Sequence, residues 1–268
     1  MTVKPYTTTL SKDNAYWMAR IAKAVYYKQP DDSPDEEKIM AELKADDSQF
    51  VSIKGVSKKS AQAALIEHEN YFCFAFRGTD EAADWLDNMN VFSEKVLFGE
   101  FHRGFWKSLE DVWQPLYEQY EALHKQKRRP VFFTGHSLGG AMATVAASRF
   151  IHHDQPFSST YTFGQPRVMS NATARIFNME AKGRTFRFQN NNDIVTRVPA
   201  RIMGYSHVGT YIYISADQEL LNDPGFWNRF LDSVEGAVEA IGKKGVDAIE
   251  DHDMSKYLSA IQKWDSRL

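Results

Sequence analysis

Residues 131–140 read VFFTGHSLGG. Val131, Phe132 and Phe133, bounded in front by Pro130, run directly into Gly135-His136-Ser137-Leu138-Gly139, and the chain continues through Ala141, Met142, Ala143, Val145, Ala146 and Ala147. That order spells a strand, a sharp turn and a helix. Glycines on either side of a serine remove the Cβ atoms that so tight a turn would drive together, and the serine hydroxyl is held out above the sheet. A bare G-x-S-x-G means little; the apolar strand before it and the alanine-rich helix after it supply the context the motif requires. Ser137 is therefore a candidate nucleophile, with an ordinary glycine-rich strand-to-helix turn as the competing reading.

The rest of the chain supplies the scaffold that such an elbow needs. Apolar residues at helical spacing mark 14–27, 34–43 and 105–124, and strand-like runs cover 50–53, 63–67, 71–76, 160–163, 185–188 and 210–214. Strands alternating with helices through the middle imply parallel β-α-β units, with antiparallel pairing towards the ends. There are no repeats and no low-complexity linker, so one α/β domain over 1–268 is the economical expectation. A chain of 268 residues buries a core without needing disulfides or metal. The single cysteine, Cys73, sits inside the apolar run 71–76 and reads as core packing.

Charge and hydropathy narrow the class further. A net charge of −3 gives no electrostatic reason to expect nucleic acid. No stretch reaches the ~18 consecutive apolar residues of a membrane span, and the N-terminus has no apolar leader core. The expected location is cytoplasmic, exported without an ordinary leader, or that of a mature secreted protein.

A serine elbow needs a base, an acid to orient it and donors for an oxyanion. In the chain order that goes with a G-x-S-x-G elbow, the acid follows the serine and the histidine follows the acid. Asp193, in FRFQNNNDIVTRVP, directly follows a strand and lies in a polar loop, where a strand's C-terminal end presents it at the active edge; an Asn/Asp-rich turn is the alternative. Two histidines come later. His207, in Tyr205-Ser206-His207-Val208-Gly209, stands at the start of a strand and reads as a hydrogen-bonded structural residue. His252, in Asp251-His252-Asp253-Met254, precedes a helix carrying Tyr257, Leu258 and Ile261, and a loop position leaves its imidazole free to reach the serine. His136, next to the nucleophile in sequence, reads as structural.

The segments FAFRGTDEAADWL (74–86), HRGF (102–105), TGHSLGGAMA (134–143), TFGQPRV (162–168), NDIVTRVP (192–199), YSHVGT (205–210) and DHDMSKY (251–257) occur in this order. The set resembles the class 3 lipase family, the α/β-hydrolases that include the filamentous-fungal triacylglycerol lipases and related feruloyl esterases. The resemblance implies an α/β-hydrolase fold: a central, mostly parallel sheet flanked by helices, with a lid. It implies a triad of Ser137, Asp193 and His252, with His207 structural. The oxyanion hole it implies is formed by the backbone N–H of Leu138 and by the N–H of Thr79, with the Thr79 hydroxyl a candidate further donor. It also implies that 80–92 is the lid, with Trp85, Leu86 and Met89 at helical spacing as its apolar face; a permanently packed surface helix is the alternative. A second amphipathic stretch, Phe226 to Ile241, lies in a helical insertion expected over 225–250 and reads first as core.

The chemistry implied is attack by Ser137 on an ester carbonyl, with His252 taking the proton and Asp193 holding the imidazole, and it calls for no metal or organic cofactor. Each oxyanion donor is worth roughly 3 to 4 kcal/mol where such donors have been removed from other hydrolases. The leading expectation is a carboxylic-ester hydrolase acting on acylglycerols as a triacylglycerol lipase, with a lipid–water interface as a possible partner surface. A short-chain, feruloyl-type or phospholipid esterase stands second. A catalytically silent lipid-binding protein stands last, because every triad residue type is present in order.

Overall fold

The computed structural model describes residues 1–79, 90–222 and 250–264. Trp85, Leu86 and Met89 of the expected lid lie outside the described residues, as do 225–249 of the expected helical insertion.

The chain enters through helices α1 (Lys12–Ala24) and α2 (Glu36–Lys44), then folds back and forth as β1 (Phe50–Lys58), β2 (Ala61–His68) and β3 (Tyr71–Phe76). Ser11 starts α1 and Asp35 starts α2, each accepting a hydrogen bond from a first-turn amide. β4 (Ser93–Val96) and β5 (Gly99–His102) lead into the long helix α3 (Arg103–Gln126), which His102 of the HRGF segment caps through Nδ1, accepting from Phe105 N. Next come β6 (Val131–His136), α4 (Leu138–His152), β7 (Ser159–Phe163), β8 (Met169–Ser170), α5 (Asn171–Ala181) and β9 (Thr185–Asn190). The described chain closes with β10 (Tyr205–Ser206), β11 (Thr210–Ile214), β12 (Leu220–Asn222) and α6 (Met254–Lys263).

Eight strands form the main sheet in the order β1-β2-β3-β6-β7-β9-β11-β12. The five central strands β3, β6, β7, β9 and β11 pair in parallel, while β1, β2 and β12 pair antiparallel at the two edges. The helices cover both faces, so the central strands are buried at nearly every position rather than alternately. Period-two geometry still sorts them. Phe72, Phe74, Phe76 and Phe133 pack with Leu109, Val112, Leu116 and Phe150 of α3 and α4 on one face. Tyr71, Cys73, Ala75 and Phe132 pack with Trp17, Met18, Ile21, Tyr257 and Ile261 of α1 and α6 on the other. Cys73 is fully buried, with Sγ 3.7 Å from Met18 Sδ, and burial pushes its thiol up, so it is inert core.

A second, four-stranded antiparallel sheet of order β10-β8-β5-β4 sits beside the main one, and neither it nor α5 was expected from sequence. β8 and β10 have two residues each, too short for any periodic signal.

Candidate active site

The elbow forms because backbone meets backbone. A Cβ on Gly135 would lie 2.3 Å from the Gly139 carbonyl carbon, and one on Gly139 would lie 2.0 Å from Phe76 O at the end of β3. Both positions exclude any side chain. Ser137, between them, has φ 58 and ψ −130, a conformation that costs a non-glycine residue about 1–3 kcal/mol and is kept only where the surroundings enforce it. Its N–H donates to Phe163 O at 2.9 Å, tying the elbow to the end of β7.

Ser137 occupies the N-cap position of α4, where a serine ordinarily caps its own helix, yet its side chain makes no capping bond. Ser11, Asp35, Ser170 and Asp253 all cap theirs. The Ser137 hydroxyl is thus withheld from the local role, and Oγ is buried without a hydrogen-bond partner.

Asp193 lies in the turn after β9 and is fully buried. Its Oδ1 accepts from Val195 N at 2.9 Å, and its Oδ2 receives His252 Nδ1 at 2.8 Å and the Tyr257 hydroxyl at 2.5 Å. A carboxylate only accepts, so Nδ1 of His252 carries the proton and the lone pair of the neutral ring sits on Nε2. That nitrogen is also buried and without a partner. Enclosed polar atoms are mostly satisfied in folded proteins, and Ser137 Oγ and His252 Nε2 are two of those that are not, on segments joined by the bond from His136 Nε2 to His252 O. His252 precedes α6 and is one-twentieth exposed.

Gly164 binds the three pieces more closely. At φ +59 it turns the chain after β7, and a Cβ there would lie 2.8 Å from Asp193 Oδ2 and 2.8 Å from both Nδ1 and Cε1 of His252. The TFGQPRV segment is therefore the floor of the Asp193–His252 pair. Gly78 does the same on the other side, since its Cβ would lie 2.9 Å from Ser137 Cβ and 2.7 Å from His136 O. Thr79, next along the chain and half-buried, consequently lies beside the elbow. Leu138 supplies the first amide of α4, one of the N–H groups that a helix leaves without an internal acceptor. The positive end of the helix favours negative charge at that spot.

His136 does more than read from sequence. Its ring lies 4.4 Å from that of His252, and its Nε2 donates to His252 O at 2.6 Å while Nδ1 accepts from the Tyr26 hydroxyl at 2.7 Å. Burial first, and then the neighbouring His252, hold its pKa well below the ordinary histidine value, so it stays neutral. His207 lies apart from the serine. Its Nε2 donates to Thr196 O at 2.7 Å, and Thr196 Oγ1 donates to Asp193 O at 2.8 Å, so His207 braces the acid loop. Burial and the guanidinium groups of Arg187 and Arg167 keep it neutral as well.

The structure brings Ser137, Asp193, His252 and Leu138 to the C-terminal edge of the parallel strands, with Thr79 at the neighbouring loop. Sequence reasoning missed Tyr257, Gly164 and the contact between His136 and His252. Tyr257 counted only as an apolar residue of α6; a buried tyrosine usually finds a partner for its hydroxyl, and that tendency is the available signal. Desolvation and Asp193 raise its pKa well above the ordinary tyrosine value, so it remains a donor.

Residues 73–203 match the family model described as Lipase (class 3). A secreted mono- and diacylglycerol lipase A from Penicillium cyclopium is 31% identical over 156 residues, covering 56% of this chain and 50% of that protein. A phospholipase A1-II 1 from Oryza sativa subsp. indica is 29% identical over 178 residues, covering 56% of this chain and 45% of that one. The chain thus spans about half the length of the relatives it matches. The crystal structure of a lipase from Rhizopus microsporus var. chinensis superposes with a TM-score of 0.63 at 21% identity, covering 83% of this chain and 86% of that chain, which is a likeness of fold.

Proposed function

We propose that the chain, whose residues 73–203 match the class 3 lipase family model, is a serine carboxylic-ester hydrolase acting on acylglycerols. The observation that carries the reading is the buried Asp193–His252 pair, tied to the G-x-S-x-G elbow through the bond from His136 to His252 O, with His252 Nε2 and the Ser137 hydroxyl both left without a hydrogen-bond partner. In the reaction His252 Nε2 accepts the Ser137 proton as Oγ bonds to the ester carbonyl carbon, and the carbonyl π pair moves onto oxygen. The N–H of Leu138 and the groups of Thr79 hold that oxyanion. Collapse expels the alcohol, which takes the proton from the His252 imidazolium, and water then repeats the sequence on the acyl-enzyme to release the acid. Asp193 fixes the tautomer throughout and does not itself become protonated. The neutral state of His136 matters here, because a second charged ring 4.4 Å away would oppose formation of the His252 imidazolium.

Among acyl esters, triacylglycerol is the leading substrate and a phospholipid ester the second reading, favoured by the rice relative named as a phospholipase. No helix among the described residues is long and apolar enough to cross a membrane. Rates on emulsified long-chain triacylglycerol, diacylglycerol, phosphatidylcholine and a soluble short-chain p-nitrophenyl ester test the assignment. The acylglycerols are expected to be hydrolysed fastest; a phosphatidylcholine rate above both would move the reading to a phospholipase, and activity confined to the soluble ester would move it to an open-cleft esterase.

A further inference from the structure

His252 stands in the short connection before α6 rather than on that helix. The two aspartates beside it divide the work. Asp253 is spent on α6, whose first turn it caps by accepting Ser255 N at 2.6 Å. Asp251 faces the other way, onto the loop that carries Asp193. Its Oδ2 accepts from Asn191 Nδ2 at 2.9 Å and from Asn192 N at 3.3 Å, and its backbone oxygen accepts from Asn190 Nδ2 at 2.9 Å. The remaining oxygen meets Lys256 Nζ at 3.4 Å, a half-exposed lysine whose contact is worth little.

The acid loop makes the matching investment. Asn191 adopts φ 38, in the left-handed region that asparagine tolerates better than most residues. Its side chain is held at both ends, by Asp251 and by the Tyr213 hydroxyl at 3.4 Å. The run Asn190-Asn191-Asn192, which reads in sequence as an ordinary polar turn, is thus a set of donors aimed at the residue before the base.

We propose that Asp251 is a positioning residue: its carboxylate clamps the His252 segment onto the Asp193 loop and so sets the geometry of the acid–base pair. The proposal rests on the catalytic reading of Ser137, His252 and Asp193 given above. His136 holds the carbonyl of His252 to the elbow, and Asp251 holds the preceding residue to the acid loop, so the base is registered against both of its partners by bonds outside the triad. Misplacing a reacting group by about an ångström costs on the order of a hundredfold in rate, so loss of this clamp registers in turnover before it registers in binding.

The test compares wild type, Asp251→Ala, Asn191→Ala and the double variant on a soluble p-nitrophenyl ester, with the folded fraction fixed by circular dichroism and Ser137→Ala as the control. Each single variant is expected to lower kcat by about tenfold or more with KM within about twofold of wild type, and the double to be little worse than the poorer single, because both remove one interaction. Asp251→Asn, which keeps an acceptor for the Asn192 N–H, recovers part of the loss. An unchanged kcat in Asp251→Ala, or losses that multiply in the double variant, overturns the proposal. The downfield proton resonance of His252 Nδ1–H gives a readout that needs no turnover. It should broaden or move upfield in Asp251→Ala, and an unaltered signal contradicts the clamp even if wild-type hydrolysis were found not to depend on Ser137, which would sink the catalytic reading instead.

Discussion

The hydroxyl of Tyr257 lies 2.5 Å from Oδ2 of Asp193, the same oxygen that receives Nδ1 of His252 at 2.8 Å. Tyr257 also accepts the N–H of Asn190 at 2.9 Å, so its one proton is committed to Asp193. Tyr257→Phe keeps the ring volume, removes that donor and leaves a buried N–H unpaired, which costs roughly 1–3 kcal/mol. Turnover is expected to drop about tenfold with KM nearly constant, and the melting temperature to fall. Steady-state kinetics alongside thermal denaturation decide it; full activity in Tyr257→Phe would reduce the hydroxyl to a structural contact.

Gly164→Ala places a methyl 2.8 Å from Asp193 Oδ2 and from the His252 ring, at a φ of +59 that alanine resists. The left-handed conformation alone costs roughly 1–2 kcal/mol, and the contact must push the acid and base apart. We expect kcat to fall by at least about a hundredfold, well beyond what the modest loss of stability explains. A variant that is less stable but equally fast per folded molecule would mean that the pair tolerates displacement.

His136 and His207 are both held neutral in the folded protein, with pKa values well below the ordinary 6.5. Unfolding restores the ordinary value, so between 6.5 and the depressed folded values the unfolded chain binds more protons and stability falls as pH falls. The slope is at most about 1.4 kcal/mol per pH unit for each histidine. Denaturant melts from pH 8 down to 5 should show a loss beginning near 6.5, made shallower in His207→Gln, whose amide can still donate to Thr196 O. An identical slope in that variant would remove His207 from the account.

The central parallel strands, the elbow and the order of acid and base were legible in sequence because each rests on local chemistry. Val131 to Phe133 announce a strand, Gly135 and Gly139 a turn that admits no side chain, and Asp193 a polar loop at a strand end. What stayed hidden depends on partners far away in the chain. β8 is a strand only because it pairs with β5 and β10, and β10 only because it pairs with β8. Gly164 looks like any loop glycine until the Asp193–His252 pair is seen against its Cα. Tyr257 and Asp251 read as a helix stripe and a loop charge, since neither spacing nor composition discloses that both face Asp193 or its loop.

Reaction with an organophosphonate ester, followed by peptide mass analysis and by turnover of Ser137→Ala, tests the central claim most directly. The geometry predicts a single adduct on Ser137 and a kcat reduced by roughly 10⁶ in a folded Ser137→Ala protein, because triad members act as a unit. An adduct on another serine, or ester hydrolysis that survives in Ser137→Ala, would contradict it.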